Sequence, residues 1–282
     1  MAILPLRGSV PVRDAGVTMG REGSRDFVEA LARGIDVIRA FGPRAMEMSV
    51  SDVATRTGLA RPTVRRLLLT LEELGYVRSS NGVYSLTAKT LDLGTSYISA
   101  LGLWDVARPH MAALVAETHE SSSMSQLDGS DIVYVARVAV PKIIGLSVTI
   151  GTRFPAVATS MGRVLLADLD GDELDSALAA PSTSGIIPRV EPSRTEIDSA
   201  LAEVRERGWA MSDEQLSLGI RSIAAPVRGG TDRVVAALNV TTHAAETPVD
   251  VLLGEHLPKL LATAAAIGDE WSNLERLPIA DG

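Results

Sequence analysis

Residues 49–88, SVSDVATRTGLARPTVRRLLLTLEELGYVRSSNGVYSLTA, leave few folds open to the front of this chain. Ser49 and Asp52 stand three apart before an amphipathic stretch, the pattern of a capping box, and Gly58 ends that stretch. A second helix opens at Arg61-Pro62-Thr63, where proline costs little because the first-turn N–H has no helical partner anyway. Val64, Leu67, Leu68, Leu71 and Leu74 recur at helical spacing and predict a buried stripe, with Arg61, Thr63, Arg65 and Arg66 largely off it. Tyr76-Val77-Arg78 and Val83–Leu86 then flank Ser79-Ser80-Asn81-Gly82, and Asn-Gly is a strong signal for a tight hairpin. Two helices around a glycine-bearing turn followed by a hairpin read as a winged helix-turn-helix. Its candidate DNA contacts are Arg61, Pro62, Thr63, Arg65 and Arg66 on the second helix, with Ser80 and Asn81 on the wing. The alternative is a helical hairpin with solvated arginines.

Charge is divided along the chain. The 282 residues carry a formal charge of −8, yet residues 1–89 hold 13 Lys and Arg against 9 Asp and Glu, a net of +4. The remaining residues hold 14 against 26, a net of −12. Only the front third suits phosphate, where arginines release counterions on binding. There are no cysteines, so thiolate metal sites and disulfides are excluded. The start lacks a secretory pattern, and no apolar run nears the roughly 20 residues of a membrane span. A soluble, cytoplasmic protein is expected.

Residues 1–23 have no period and read as a mobile tail. A helix over Asp26–Phe41, with Phe27, Leu31, Ile35, Ile38 and Phe41 on one face, completes a DNA-binding domain of 24–88 and stops at Gly42-Pro43. Thr87–Ala100 reads as a connecting helix within a linker of 89–103, and 104–282 forms the second domain. There the spacing predicts a helix over Trp104–Glu120, strands at Met124–Leu127, Ile132–Val138 and Ile143–Ile150, and helices at Ser160–Asp168, Asp172–Ala179 and Arg194–Arg207. Strands at Trp209–Ser212, Ile220–Val227 and Val234–Thr241 precede a closing helix of Pro248–Leu274. Hairpins, helices and further strands describe an α+β domain with an antiparallel sheet, and a pocket between sheet and cover is a natural ligand site.

No catalytic constellation appears. His110, His119, His243 and His256 lack metal-ligand spacing, and neither a GxSxG elbow nor a glycine-rich phosphate loop is present. We therefore expect no enzyme, no cofactor and no metal; the alternative is a winged helix fused to a cryptic enzyme acting on a small acid.

The segment VATRTGLARPTVRRLLLTLEELGYV resembles the helix-turn-helix of the IclR family of bacterial transcription regulators. GTRFPAVATSMGRVLLADL, GWAMSDEQLSLGIRSIAAPV and VVAALNVTTHA resemble that family's GAF-like effector-binding domain. The phrasing is closest to the PcaR/PcaU/PobR branch, which controls aromatic-acid catabolism through the β-ketoadipate pathway. The resemblance implies promoter DNA as partner, a small carboxylic-acid effector, self-association into dimers and possibly tetramers, and RNA polymerase as a partner if the regulator activates. It also implies an effector pocket built from Ser160, Met161, Asp213, Ser222, Asn239 and Thr241. Asn239 and Thr241 lie two apart and share one face of a strand, and Ser160 and Met161 fall at a helix N-terminus. Asp213 as a turn cap, and Ser222 and Thr241 as water-facing strand residues, are the plain structural readings. His243 ends the strand and could bind a carboxylate, a surface residue being the favoured reading of a lone histidine there. Arg137 and Arg221 are possible carboxylate partners, a structural ion pair being the favoured reading of each.

Overall fold

The computed structural model describes residues 27–42, 45–94, 102–141 and 148–275. Among these, two compact units separate, one within Asp14–Leu101 and one within Gly102–Gly282.

The front unit packs α1 (Glu29–Ala40), α2 (Val50–Thr57) and α3 (Arg61–Glu73) against a small antiparallel sheet. That sheet holds β1 (Met48–Ser49), β2 (Val77–Ser80) and β3 (Val83–Leu86) in the order β1-β3-β2. The capping box forms as expected: the Ser49 backbone N–H donates to Asp52 Oδ2 at 2.9 Å, and the Asp52 N–H donates back to Ser49 Oγ at 3.3 Å. The Ser49 hydroxyl, which donates to Asp52 Oδ2 at 2.7 Å, and then the Ser49 backbone N–H hold the Asp52 carboxyl below its usual pKa. Gly58 closes α2 with φ 68°, in the left-handed region where glycine carries no steric cost. Val64, Leu68 and Leu71 of α3 are buried with Val37, Ala40, Met48, Val53 and Val77.

Three expectations change here. Leu74 lies past the end of α3 and is 53% exposed, so the stripe ends at Leu71. Helix α1 buries Val37 and Ala40, whereas Phe27, Leu31 and Ile35 of the expected face are exposed. The turn of the hairpin is Asn81-Gly82 alone, with Ser79 and Ser80 in strand register opposite Tyr84 and Val83. Asn81 and Gly82 both have positive φ, 51° and 81°, the signature of a two-residue primed turn. Strand β1 is too short to announce itself in sequence.

The tail at 1–23 and Pro43 lie outside the described residues. So does most of the connecting helix: residues 91–94 are helical, 95–101 are not described, and Gly102 starts a new helix in a left-handed conformation.

The rear unit is built on a six-stranded antiparallel sheet, ordered β6-β5-β4-β9-β8-β7. Its strands are β4 (Ser121–Asp128), β5 (Asp131–Val138), β6 (Arg153–Pro155), β7 (Ala210–Asp213), β8 (Ile220–Arg228) and β9 (Val234–His243). Helix α4 (Leu103–Thr118) carries Pro109 in its interior. Then come α5 (Ser160–Ala167), α6 (Gly171–Ala179) and α7 (Arg194–Arg207). A final helical run comprises α8 (Val249–Val251), a π-helical segment at Leu252–His256 and α9 (Leu257–Glu275). Most of the strand expected at Ile143–Ile150 lies outside the described residues, and 148–150 are not strand. Strand β6, three residues long, was not anticipated.

Strand alternation sorts the two faces of this sheet. Ala210, Ala224 and Ala237 pack with Met161, Val164 and Leu165 of α5. Small residues there let the helix approach closely. Helices α4 and α9 pack on one another and on the sheet, α9 mainly over β8 and α4 over β4 and β5. Gly162 fixes the seat of α5, because a Cβ would overlap the carbonyl oxygen and Cα of Ala156. Among the described residues no helix is long and apolar enough to cross a membrane.

Candidate functional site

On the front unit, Arg61, Pro62, Arg65 and Arg66 are exposed and Thr63 is half-buried. They occupy the first two turns of α3, whose N-cap, Ala60, provides no side-chain cap. Backbone donors at that end therefore remain available to a phosphate. Ser80 and Asn81 stand exposed at the wing tip. Glu72 ties helix to wing by accepting from the Ser79 N–H at 3.0 Å and the Ser79 hydroxyl at 2.5 Å. Arg78, also exposed on the wing, was not singled out from sequence; its Nε donates to Ser85 at 3.0 Å.

The rear unit encloses a cavity of about 360 Å³ on the α5 side of the sheet. Ser160, Met161, Ser222, Asn239 and Thr241 all line it. Strand register explains the convergence. Ser121, Thr241, Ser222 and Ser212 lie in one transverse row across β4, β9, β8 and β7. Arg137, Ser123, Asn239 and Ala224 form the next row, across β5, β4, β9 and β8. Hydrogen bonds knit the polar members. Asn239 Oδ1 accepts from the Ser123 N–H at 2.9 Å, and its Nδ2 donates to Thr241 Oγ1 at 3.0 Å. The Ser160 and Ser222 hydroxyls are 2.8 Å apart, and Ser125 Oγ donates to Met161 Sδ at 3.3 Å. Thr159 caps α5 by accepting from the Gly162 N–H at 3.0 Å.

Asp213 does not line the cavity. Ser212 faces it, donating to the Ala158 carbonyl at 3.2 Å, so the next residue along β7 points the other way. The Asp213 carboxylate instead receives a two-pronged contact from Arg221, at 2.8 and 3.1 Å. Arg221 also donates to the Thr247 carbonyl at 2.9 Å, so it is the structural ion pair anticipated for it.

Sequence reasoning missed the apolar side of this cavity. Tyr134 and Phe154 meet edge to face with ring centroids 5.6 Å apart, and Val148, Leu216 and Ile220 complete the wall. Burial raises the Tyr134 phenol to about 12, partly offset by the nearby Arg137. His243, read as a surface residue, is half-buried and lines the cavity. The other histidines stay apart from it: His110 Nε2 pairs with Glu270 at 2.8 Å, His119 caps α4 and His256 lies in the π segment. Among the described residues, no group of His, Asp and Glu is arranged to hold a metal ion.

Residues 30–80 match the helix-turn-helix domain of the IclR family, and residues 95–269 match the C-terminal domain of IclR bacterial transcriptional regulators. The Pca regulon regulatory protein of Pseudomonas putida is 38% identical over 86% of this chain and 84% of its own length. The p-hydroxybenzoate hydroxylase transcriptional activator of Acinetobacter baylyi is 32% identical over 86% of this chain and 91% of its own. A candidate transcriptional regulator from a Rhodococcus species, solved by crystallography, superimposes with a TM-score of 0.78 at 47% identity, over 88% of this chain and all of that one.

Proposed function

The chain belongs to the IclR family of DNA-binding transcriptional regulators, and from that premise we propose that a small organic acid bound in the rear cavity controls promoter binding by the front unit. In this reading residues 24–88 form the DNA-binding domain, 89–103 a linker and 104–282 the effector domain. Arg65 and Arg66 reach base edges, with Arg61, Pro62, Thr63, Ser80 and Asn81 on the backbone around them. Ser160, Met161, Ser222, Asn239 and Thr241 contact the effector, whereas Asp213 is held by Arg221 outside the cavity. The acid belongs to aromatic or β-ketoadipate-type metabolism, in keeping with the names of the two curated relatives. Two copies of the chain read paired half-sites, as paired reading heads require.

One observation carries the effector reading. A cavity of about 360 Å³ has a polar floor of serine, threonine and asparagine and an aromatic wall. That size suits a ring-sized acid. Binding such an acid better in one conformation than another shifts the equilibrium between them, and DNA affinity with it.

A thermal-shift panel of aromatic acids and aliphatic dicarboxylic acids tests the effector, since a ligand of the folded state raises the melting temperature. The active compound is then added to a gel shift on duplex selected by the protein from a random pool. We expect one acid to stabilise the chain and to alter duplex binding. An acid that stabilises without altering binding, or is chemically converted on incubation, overturns the reading.

A further inference from the structure

Arg137 is at odds with its surroundings. It is half-buried and lines the cavity, yet its one side-chain hydrogen bond among the described residues runs from Nη1 to Ser123 Oγ at 2.9 Å. Among the described residues no carboxylate lies within ion-pair distance of it, so the structural ion pair anticipated from sequence is absent. Desolvation lowers its pKa from the usual guanidinium value. The other half-buried arginines are better supplied. Arg163 donates to the carbonyls of Val157 and Met211 and to Gln215, and Arg221 binds Asp213 and Thr247. A guanidinium carries five donors in a planar fork, and removing it from water is costly unless an acceptor, best an anion, meets the fork.

The backbone places Arg137 in the cavity deliberately. Tyr134 and Arg137 are three apart, so on a regular strand they would face opposite sides of the sheet. Strand β5 carries a bulge here: Ser125 pairs with Tyr134 and Met124 with Ala136, leaving Val135 as an extra residue. The bulge returns both side chains to one face, and both line the cavity. The cation thus stands beside the Tyr134–Phe154 pair. Among the described residues the one carboxylate lining the cavity, Glu120, is buried and accepts from the Thr247 hydroxyl at 3.1 Å.

We propose that Arg137 anchors the effector's carboxylate, with the ring against Tyr134 and Phe154 and a ring hydroxyl on the Ser160–Ser222 hydroxyl pair. The cavity would then select a hydroxylated aromatic acid. From the guanidinium above β4 to Ser222 on β8 is two strand spacings, roughly 10 Å, enough for a ring with a polar group hydrogen-bonded at each end. The assignment rests on the effector reading above and deepens it.

Calorimetric titration of the full chain with 4-hydroxybenzoate, 3,4-dihydroxybenzoate and the neutral isostere 4-hydroxybenzamide tests it. We expect at least one acid to bind about 10-fold or more tightly than the amide, the size of a charge-assisted pair. Arg137→Gln should erase that preference by weakening the acid alone, and Arg137→Lys should restore part of it. Melting curves without ligand establish that each variant is folded. Equal affinity for acid and amide in the unmodified chain overturns the proposal without any variant, as does an Arg137→Gln protein that keeps the acid preference. A chain that ignores both hydroxybenzoates but is stabilised by adipate overturns this assignment and leaves the effector reading standing. One that ignores every acid overturns both.

Discussion

The two units place their working residues in opposite environments. On the front unit the candidate contacts, apart from the half-buried Thr63, are exposed side chains on the wing and on a helix whose core face, Val64, Leu68 and Leu71, is made by other residues. In the rear unit Ser160, Met161 and Asn239 are at most 2% exposed, and they are part of the core they would share with a ligand. Function and stability should therefore be separable in front and entangled behind. A surface side chain can be cut away without leaving a hole, whereas a buried one leaves a void or an orphaned hydrogen-bonding group.

The largest effect should come from Gly162→Ala. The added Cβ meets backbone of Ala156 rather than a side chain that can rotate away, so α5 must move. We expect a loss of about 3 kcal/mol in urea unfolding, at the strong end for overpacking, together with loss of any ligand response. A stable, ligand-responsive Gly162→Ala protein would break the claim that this site and its core are one structure. Asn239→Leu comes next. It removes the acceptor for the buried Ser123 N–H and the donor to Thr241, a cost of about 1–3 kcal/mol, and should abolish the response to acid. Loss of response at unchanged unfolding free energy would show the rear unit to be as separable as the front.

The same contrast decides what could be read from sequence. The front unit is written in local signals: a capping box within four residues, a left-handed glycine at position 58, an Asn-Gly turn. Each depends on neighbours along the chain, and each formed. The rear site depends on which residues lie across from one another. Alternation correctly joined Asn239 and Thr241, but only pairing across four strands brings Ser121, Thr241, Ser222 and Ser212 into one row. Asp213, implied by the resemblance alone, follows the cavity-lining Ser212 on β7 and so points to the other face, since a slip of one residue on a strand inverts its face. The bulge at Val135 was invisible for a related reason: a bulge is a mismatch between two strands, and no single strand records it. Exposure of Phe27, Leu31 and Ile35 on α1 shows the converse error, a helical stripe read as core where the small core reaches only its last turns.

Arg65→Ala and Arg66→Ala sharpen the front half of the comparison. Each should weaken binding to selected duplex by on the order of 1–3 kcal/mol if the arginine meets a base edge. Neither makes an ion pair among the described residues, so the unfolding free energy should shift by no more than about 0.5 kcal/mol, as for ordinary surface positions. Unchanged duplex affinity in both variants would remove α3 as the reading helix.

The smallest effect is one of pH, and it should appear in one unit only. His256 lies buried in the π segment, its Nδ1 without a hydrogen-bond partner among the described residues. Burial lowers its pKa from the model-peptide value of about 6.5; Glu120 and Glu255 pull it back up, and Lys259 pushes it further down. A lowered folded-state pKa means that the unfolded chain takes the proton more readily. The histidine's contribution to stability is therefore complete above about pH 6.5 and is lost as pH falls through the folded-state pKa. The first 101 residues contain no histidine, so the front unit has no such term in this range. Asp52, also shifted down, acts only at far lower pH. All three tryptophans, Trp104, Trp209 and Trp271, lie in the rear unit, so their fluorescence follows rear unfolding alone. The urea midpoint read this way should fall between pH 7.5 and 5.5, and His256→Asn should flatten that fall. Amide exchange in α2 and α3, corrected for intrinsic rate, should stay level over the same interval. A rear midpoint indifferent to pH, or a front unit that loosens in step with it, would show that the two cores do not titrate as separate bodies.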